Sequence, residues 1–229
     1  MRSPLIATVM LMGTLLLPSI AQSAEAERTI PEVRILPGFF LQEMAYNLTP
    51  YVPGRDATPQ QLAERAEQIA QLWAPHEKAI LQGMVKAVGL DFRHNLIDAH
   101  VLDLFPTFSR PLVLSYYKKD SEIVGVMAHE VGHILLVDNL QQVDVGVIFE
   151  EMFPGQPLLV RNHVVVFAML KRVFLDDLKR PDLLEPERNP PPKDKDYKEA
   201  WRLVDEQGHE SILESFRARS RKLAAVTQQ

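Results

Sequence analysis

The stretch from Val124 to Val137 constrains the fold most, because it is almost wholly uncharged and apolar and yet carries His129, Glu130 and His133. Such a run predicts a buried helix. On a helix, positions i and i+4 share one face, so the two imidazoles point the same way. Burying them with a carboxylate but without partners would cost free energy, and a bound metal ion removes that cost by accepting the imidazole lone pairs. The stretch therefore predicts a metal-binding helix.

Residues 129–133 spell H-E-x-x-H, a motif typical of zinc proteases. In this motif the two histidines bind zinc, and the glutamate reaches a zinc-bound water and takes its proton. One zinc ion per chain is expected, held in part by His129 and His133, with Glu130 as the catalytic base. The alternative is an accidental match in a helical structural protein, which predicts no stoichiometric metal.

A catalytic zinc ion usually has a third protein ligand beside its water. The chain contains no cysteine, so His, Asp or Glu must supply that ligand. Three candidates follow the motif. Glu150 and Glu151 lie 17 and 18 positions after His133, and His163 lies 30 positions after it. The residues alone leave these alternatives open.

From about Leu112 to Phe153 the chain resembles the gluzincin group of H-E-x-x-H zincin metallopeptidases, in which a downstream glutamate completes the zinc site. The resemblance implies that His129 and His133 are metal ligands, that Glu130 is the general base and that Glu151 is the third ligand. It also implies a peptide or protein substrate.

The N-terminus, from Met1 to about Ala26, has the pattern of a signal peptide: Arg2 precedes an apolar run, Leu5–Leu17, and small residues follow. Cleavage after Ser23 or after Ala26 fits the small-residue rule equally well. We therefore expect an exported protein, periplasmic or extracellular. An uncleaved membrane anchor is the alternative.

Residues 27–229 are expected to form a single zincin-like metallopeptidase domain, since about 200 residues suit one domain. No other apolar run reaches membrane length, so no stable membrane insertion is expected after signal cleavage. The formal charge of −5 and dispersed basic residues argue against a nucleic-acid partner.

The predicted fold class is α+β, zincin-like, with a small sheet before the H-E-x-x-H helix and a mainly helical C-terminal half. Periodicity, caps and turn residues predict these segments along the chain: an irregular segment Glu27–Asp56, helices Thr58–Trp73 and His76–Val88, strands Leu96–Phe105 and Arg110–Tyr117, a long helix Leu158–Leu178, a Pro-rich linker Glu185–Asp196, and helices from Tyr197 to Ala225.

The function that the motif and the resemblance imply is hydrolysis of peptide bonds by a zinc-activated water. The strand Pro111–Tyr117 would offer an open sheet edge to an extended peptide. His209, Tyr116 and Tyr117 have side chains suited to stabilising an oxyanion, but no spacing selects them. The alternative is a catalytically inactive zincin-fold protein with a binding or assembly role in the envelope, against which the intact Glu130 argues.

Overall fold

The structure is a computed structural model that describes residues 30–48, 56–103, 106–189 and 194–227. The predicted signal peptide, residues 1–26, lies outside the described residues. Within the described part of the chain, no helix is both long enough and apolar enough to cross a membrane.

Three strands form one small parallel sheet in the order β1 (Glu32–Pro37), β2 (Leu96–Leu102), β3 (Leu112–Ser115). β2 lies in the middle and pairs with both neighbours in parallel. The two strands predicted before the motif helix are thus confirmed with shorter bounds, and the sheet gains a strand from the N-terminal segment.

Helices make up most of the described chain, which confirms the α+β class in its coarse form. In chain order they are α1 (Phe39–Leu48), α2 (Pro59–Trp73), α3 (Glu77–Val88), α4 (Asp120–Asp138), α5 (Val145–Met152), α6 (Leu158–Lys171), α7 (Pro181–Arg188), α8 (Lys195–Gln207) and α9 (His209–Thr227). α6 continues into a wider π-helical segment, Arg172–Asp177, so the predicted long helix is present with an altered last part.

The motif helix, α4, lies at the centre of the domain. It contacts α2, α3, α6, α7 and β3. Its apolar residues face these neighbours on several sides, and Met127, Ala128, Val131 and Leu135 have no exposed surface. An amphipathic helix would bury one stripe only, so the continuous apolar run of the sequence is explained by burial all round.

The prediction of an irregular segment from Glu27 to Asp56 is wrong, because this segment contains β1 and α1. β1 is held by a partner distant in sequence, since it pairs with β2. The backbone N–H of Val33 also donates to the carboxylate of Glu77 at the start of α3. Such contacts leave no periodic signal in a six-residue strand.

The structure also differs from the predicted linker Glu185–Asp196. Its first residues belong to α7, and α8 already begins at Lys195. Pro181 occupies the first turn of α7, where a missing N–H costs nothing, and Leu183 and Leu184 are buried. The prolines and charged residues of this segment are typical of a linker, but the segment contains a short, packed helix.

The outer edge of β3 is not open, in contrast to the predicted peptide-binding edge. Val113 exchanges both backbone hydrogen bonds with Phe108. The N–H of Ser115 donates to Thr107 Oγ1, and its carbonyl accepts from Lys118. The outward-facing groups of Val113 and Ser115 thus already have partners within the chain.

Candidate metal centre

Three histidines meet at the centre of the domain. Nε2 of His129 lies 3.2 Å from Nε2 of His133, which lies 3.3 Å from Nε2 of His163. The side chains of His129 and His163 are buried, and that of His133 is half-buried. The geometry identifies these residues as a group able to hold a metal ion.

Two helices supply the three imidazoles. His129 and His133 lie one turn apart on α4, as their spacing predicts. His163 lies on α6, which packs against α4. Its Nδ1 lies 2.6 Å from the carbonyl of Leu159, one turn earlier in the same helix. This hydrogen bond requires a proton on Nδ1, so a neutral His163 presents the lone pair of Nε2 to the centre.

Two of the spacings among the three nitrogen atoms fit zinc. Two nitrogens bonded to one tetrahedral zinc ion at about 2.0–2.1 Å lie about 3.3 Å apart. The two measured separations, 3.2 and 3.3 Å, agree with this value. Three imidazoles plus one open position is also the arrangement of a catalytic zinc site.

Glu187 of α7 fixes the orientation of His129. Its Oε2 lies 2.7 Å from Nδ1 of His129, and both side chains are nearly buried. A carboxylate that accepts the Nδ1 proton leaves Nε2 free to bind a metal, which is the usual arrangement behind a metal-bound histidine. The indole N–H of Trp201 donates to the backbone carbonyl of Glu187, which ties α7 to α8.

The charges around the centre favour a cation. Burial opposes protonation of His129, but the hydrogen bond and charge of Glu187, together with the charge of Glu130, raise its pKa. Burial and the positive charge of His129 lower the pKa of His163 to about 4. For the same reasons the pKa of His133 lies well below its ordinary value. Without metal, a positive charge in this group is therefore favoured on His129, beside Glu187, and disfavoured on the other two imidazoles.

The carboxylate of Glu130 lies beside this centre. Among the described residues, no hydrogen bond or ion pair engages its carboxylate. Burial raises its pKa, and the nearby charge of His129 opposes that rise. A free carboxylate with a raised pKa suits a general base that must release its proton again.

Two aromatic rings line the group of histidines. Phe167 of α6 lies 5.5 Å from both His129 and His163, measured between ring centroids. Tyr197 of α8 lies 4.4 Å from His163 and 6.0 Å from His129. Burial and the charges of Glu130, Glu187 and Asp194 raise the pKa of Tyr197 to about 12, so its phenol is neutral and remains a hydrogen-bond donor.

The two glutamates suggested as third ligands lie elsewhere. Glu151 is paired with Arg219 of α9, at 3.5 Å between Oε2 and Nε. Glu150 is paired with Arg161. Both carboxylates are 58 % exposed. The structure thus joins His129 and His133 to His163, and it does not bring Glu151 to them.

A second group of metal-ligand types, Asp176, His209 and Glu210, is explained by ion pairs. His209 Nε2 lies 2.6 Å from Asp176, and Glu210 accepts from Arg172. The guanidinium of Arg172 thus already neutralises one of the two carboxylates. His209 therefore lies in a surface network, away from the three-histidine group.

A buried three-histidine centre with a free carboxylate beside it is typical of zinc-dependent hydrolases. In agreement with this, the family model described as Peptidase family M48 matches residues 65–165. That family consists of zincin-type H-E-x-x-H metallopeptidases that depend on zinc, so the match confirms the resemblance to zincin metallopeptidases. The comparison with curated proteins and the comparison with solved structures found no match.

The matched range contains all three histidines and Glu130, but it ends before Glu187 and Tyr197. Sequence reasoning missed both residues. Glu187 lay in the segment interpreted as a linker, although Leu183 and Leu184 before it were a sign of a buried helix face. Tyr197 lay at the start of a predicted helix, where nothing local distinguishes it.

Proposed function

We propose that this chain is an exported zinc-dependent metallopeptidase in which His129, His133 and His163 hold the metal and Glu130 is the general base. The observation that carries the proposal is the convergence of three imidazoles, two of whose Nε2–Nε2 separations match tetrahedral zinc, beside a glutamate that pairs with none of the described residues. The match to Peptidase family M48 supports peptides or proteins as the substrate class. The signal-like N-terminus supports export to the periplasm or the medium.

The proposed ligand set replaces Glu151 by His163. Neutral imidazole is a good zinc ligand, and the hydrogen bond from His163 Nδ1 to Leu159 already selects the tautomer that binds through Nε2. The chemistry that a bound zinc ion supplies is acidification of a water molecule and polarisation of a carbonyl.

The residues of the chain handle the proton and the geometry. Glu130 takes a proton from the attacking water at its carboxylate and returns it to the amine that leaves, so one side chain is base and then acid. Glu187 holds His129 in one orientation through Nδ1. The buried apolar residues of α4 make the surroundings of these groups less polar than water, which strengthens each electrostatic contact.

The test is zinc content and hydrolysis measured together. Wild-type protein, purified without a polyhistidine tag, should hold about one zinc per chain and should cleave fluorescently labelled casein. Glu130→Gln should keep the zinc and lose hydrolysis at least about 100-fold. A protein that takes up no zinc, or a Glu130→Gln variant as active as wild type, would refute the proposal.

A zinc-loaded protein without activity towards casein or towards a mixed peptide library would instead favour the binding or assembly alternative. No contact of Glu130 in the structure favours that alternative, because its carboxylate is not engaged by any described residue.

A further inference from the structure

We propose that Tyr197 is a further catalytic residue, whose hydroxyl donates a hydrogen bond to the carbonyl oxygen of the scissile peptide as that oxygen becomes an oxyanion. The inference rests on the proposed function, since it assigns a role within the same site. It concerns a residue outside the range that the family model matches.

Its position is the first support. Two non-histidine rings of the described residues contact the histidine group: Phe167 is purely apolar, whereas Tyr197 carries a hydroxyl. The Tyr197 ring lies nearly parallel to that of His129, at 24°, and packs more closely on His163. The phenol therefore belongs to the immediate surroundings of the expected metal.

The state of the hydroxyl is the second support. No group in the described part of the chain forms a hydrogen bond with it, and the side chain is only half-buried. Among the charged groups that raise the pKa of this phenol, Glu130 has the largest effect. A donor near the general base that has no partner within the described protein can offer its proton to a bound substrate.

Rigid support of the ring is the third observation. Trp201 lies one turn after Tyr197 on α8, stacks on Phe167 at 4.3 Å and donates to the carbonyl of Glu187. Asp205, one turn further, pairs with Arg188 of α7 and Lys171 of α6. Residues at successive turns on one face of α8 thus fix this helix against α6 and α7. A donor that is held in place beforehand needs no reorganisation during the reaction.

The chemistry of the site calls for such a donor. Once Glu130 has taken the proton of the water, Glu187 remains an ionised carboxylate near the centre and repels an oxygen that gains negative charge. A neutral phenol can approach this carboxylate without forming an ion pair with it. Removing one donor from an oxyanion site typically lowers kcat about 100- to 1000-fold.

The test compares Tyr197→Phe with wild type, and it uses a matched control, Tyr116→Phe. Phenylalanine keeps the ring that packs on His163 and His129, so zinc content and the melting temperature should be unchanged. Tyr116 directly follows β3, and among the described residues its ring contacts that of Tyr117 rather than the histidine group. The control variant should therefore behave as wild type in every measurement.

Two readouts are needed. In casein hydrolysis, Tyr197→Phe should lower kcat about 100-fold with little change in KM. In calorimetry, the zinc-loaded variant should bind acetohydroxamate, a small metal-binding oxyanion, about 10-fold more weakly than wild type. The second readout does not depend on finding a good substrate.

Equal acetohydroxamate affinity in wild type and Tyr197→Phe, with zinc bound in both, would overturn the inference and leave Tyr197 as a packing residue. A wild-type protein that binds no zinc would overturn the proposed function itself. These two failures are distinguished by the zinc measurement alone.

Discussion

The carboxylate of Glu187 lies 2.7 Å from Nδ1 of His129, although the two residues are 58 positions apart. The contact joins α7 to the motif helix at the residue that opens the H-E-x-x-H sequence. Burial would raise the pKa of Glu187, but the hydrogen bond and the charge of His129 lower it, so the acid is ionised at neutral pH. The pair therefore orients His129, one of the proposed ligands, and supplies negative charge behind it.

Glu187→Gln should weaken zinc binding about 10- to 100-fold, because the amide can no longer hold His129 by a charge-assisted bond. Zinc affinity is measured by competition with a chromogenic chelator. Glu185→Gln is the matched control, since Glu185 is exposed two positions earlier on the same helix and, within the described residues, its side chain is bonded to Asn189 and not to the histidine group. Equal affinity in the two variants would contradict the role of Glu187.

His163→Ala and Glu151→Ala separate the two candidates for the third ligand. We expect His163→Ala to lose stoichiometric zinc, because two imidazoles alone hold the ion weakly. Glu151→Ala should keep it and change the free energy of unfolding by less than about 1 kcal/mol, because its pairing with Arg219 is exposed. Elemental analysis after dialysis gives the result. Zinc retained by His163→Ala and lost by Glu151→Ala would restore the gluzincin assignment.

The sequence predicted the parts of the site that depend on local spacing. His129, Glu130 and His133 lie within five positions, so helix geometry alone places them together. The position of His163, the proposed third ligand, depends on how α6 packs against α4, which one sequence does not encode in any short pattern. The gluzincin resemblance therefore selected Glu151, while the packing of the domain brings His163.

The fold shows the same division. The capping box at Thr58 correctly predicted the start of α2, because Thr58 and Gln61 exchange hydrogen bonds three positions apart. β1 escaped prediction, since its stability comes from pairing with β2 some 60 positions later. α7 was not predicted either. Its leucines are buried by α4 and by the π-helical segment, and the prolines around them made the segment resemble a linker.

Gly125→Ala tests the approach of α7 to α4. A Cβ at Gly125 would lie 2.7 Å from the carbonyl oxygen of Leu183, so α7 must shift. The resulting strain should destabilise the fold by about 1–3 kcal/mol. Because Glu187 lies one turn beyond Leu183, zinc affinity should fall as well.

Gly83→Ala is the control for overpacking. Its Cβ would lie 2.9 Å from Cγ2 of Val173, in the contact between α3 and the π-helical segment. We expect a comparable loss in melting temperature without a loss of zinc affinity. If both variants change zinc affinity equally, the effect of Gly125→Ala is a general loss of stability rather than a displacement of Glu187.

The zinc-free protein should lose stability as the pH falls from about 6.5 to about 4, in part because of His163. An unfolded histidine takes up its proton near pH 6.5, whereas the pKa of folded His163 is about 4, so the unfolded state binds more protons in this window. The shift corresponds to roughly 3 kcal/mol of unfolding free energy, fully present above pH 6.5 and lost by pH 4.

His129, whose pKa is raised, acts in the opposite direction, so the comparison must isolate His163. Urea unfolding of chelator-treated wild type and His163→Asn at pH 4.5 and pH 7 does this. The free energy of unfolding should fall more steeply with acid in wild type than in the variant, and parallel pH profiles would show that His163 titrates normally in the folded chain.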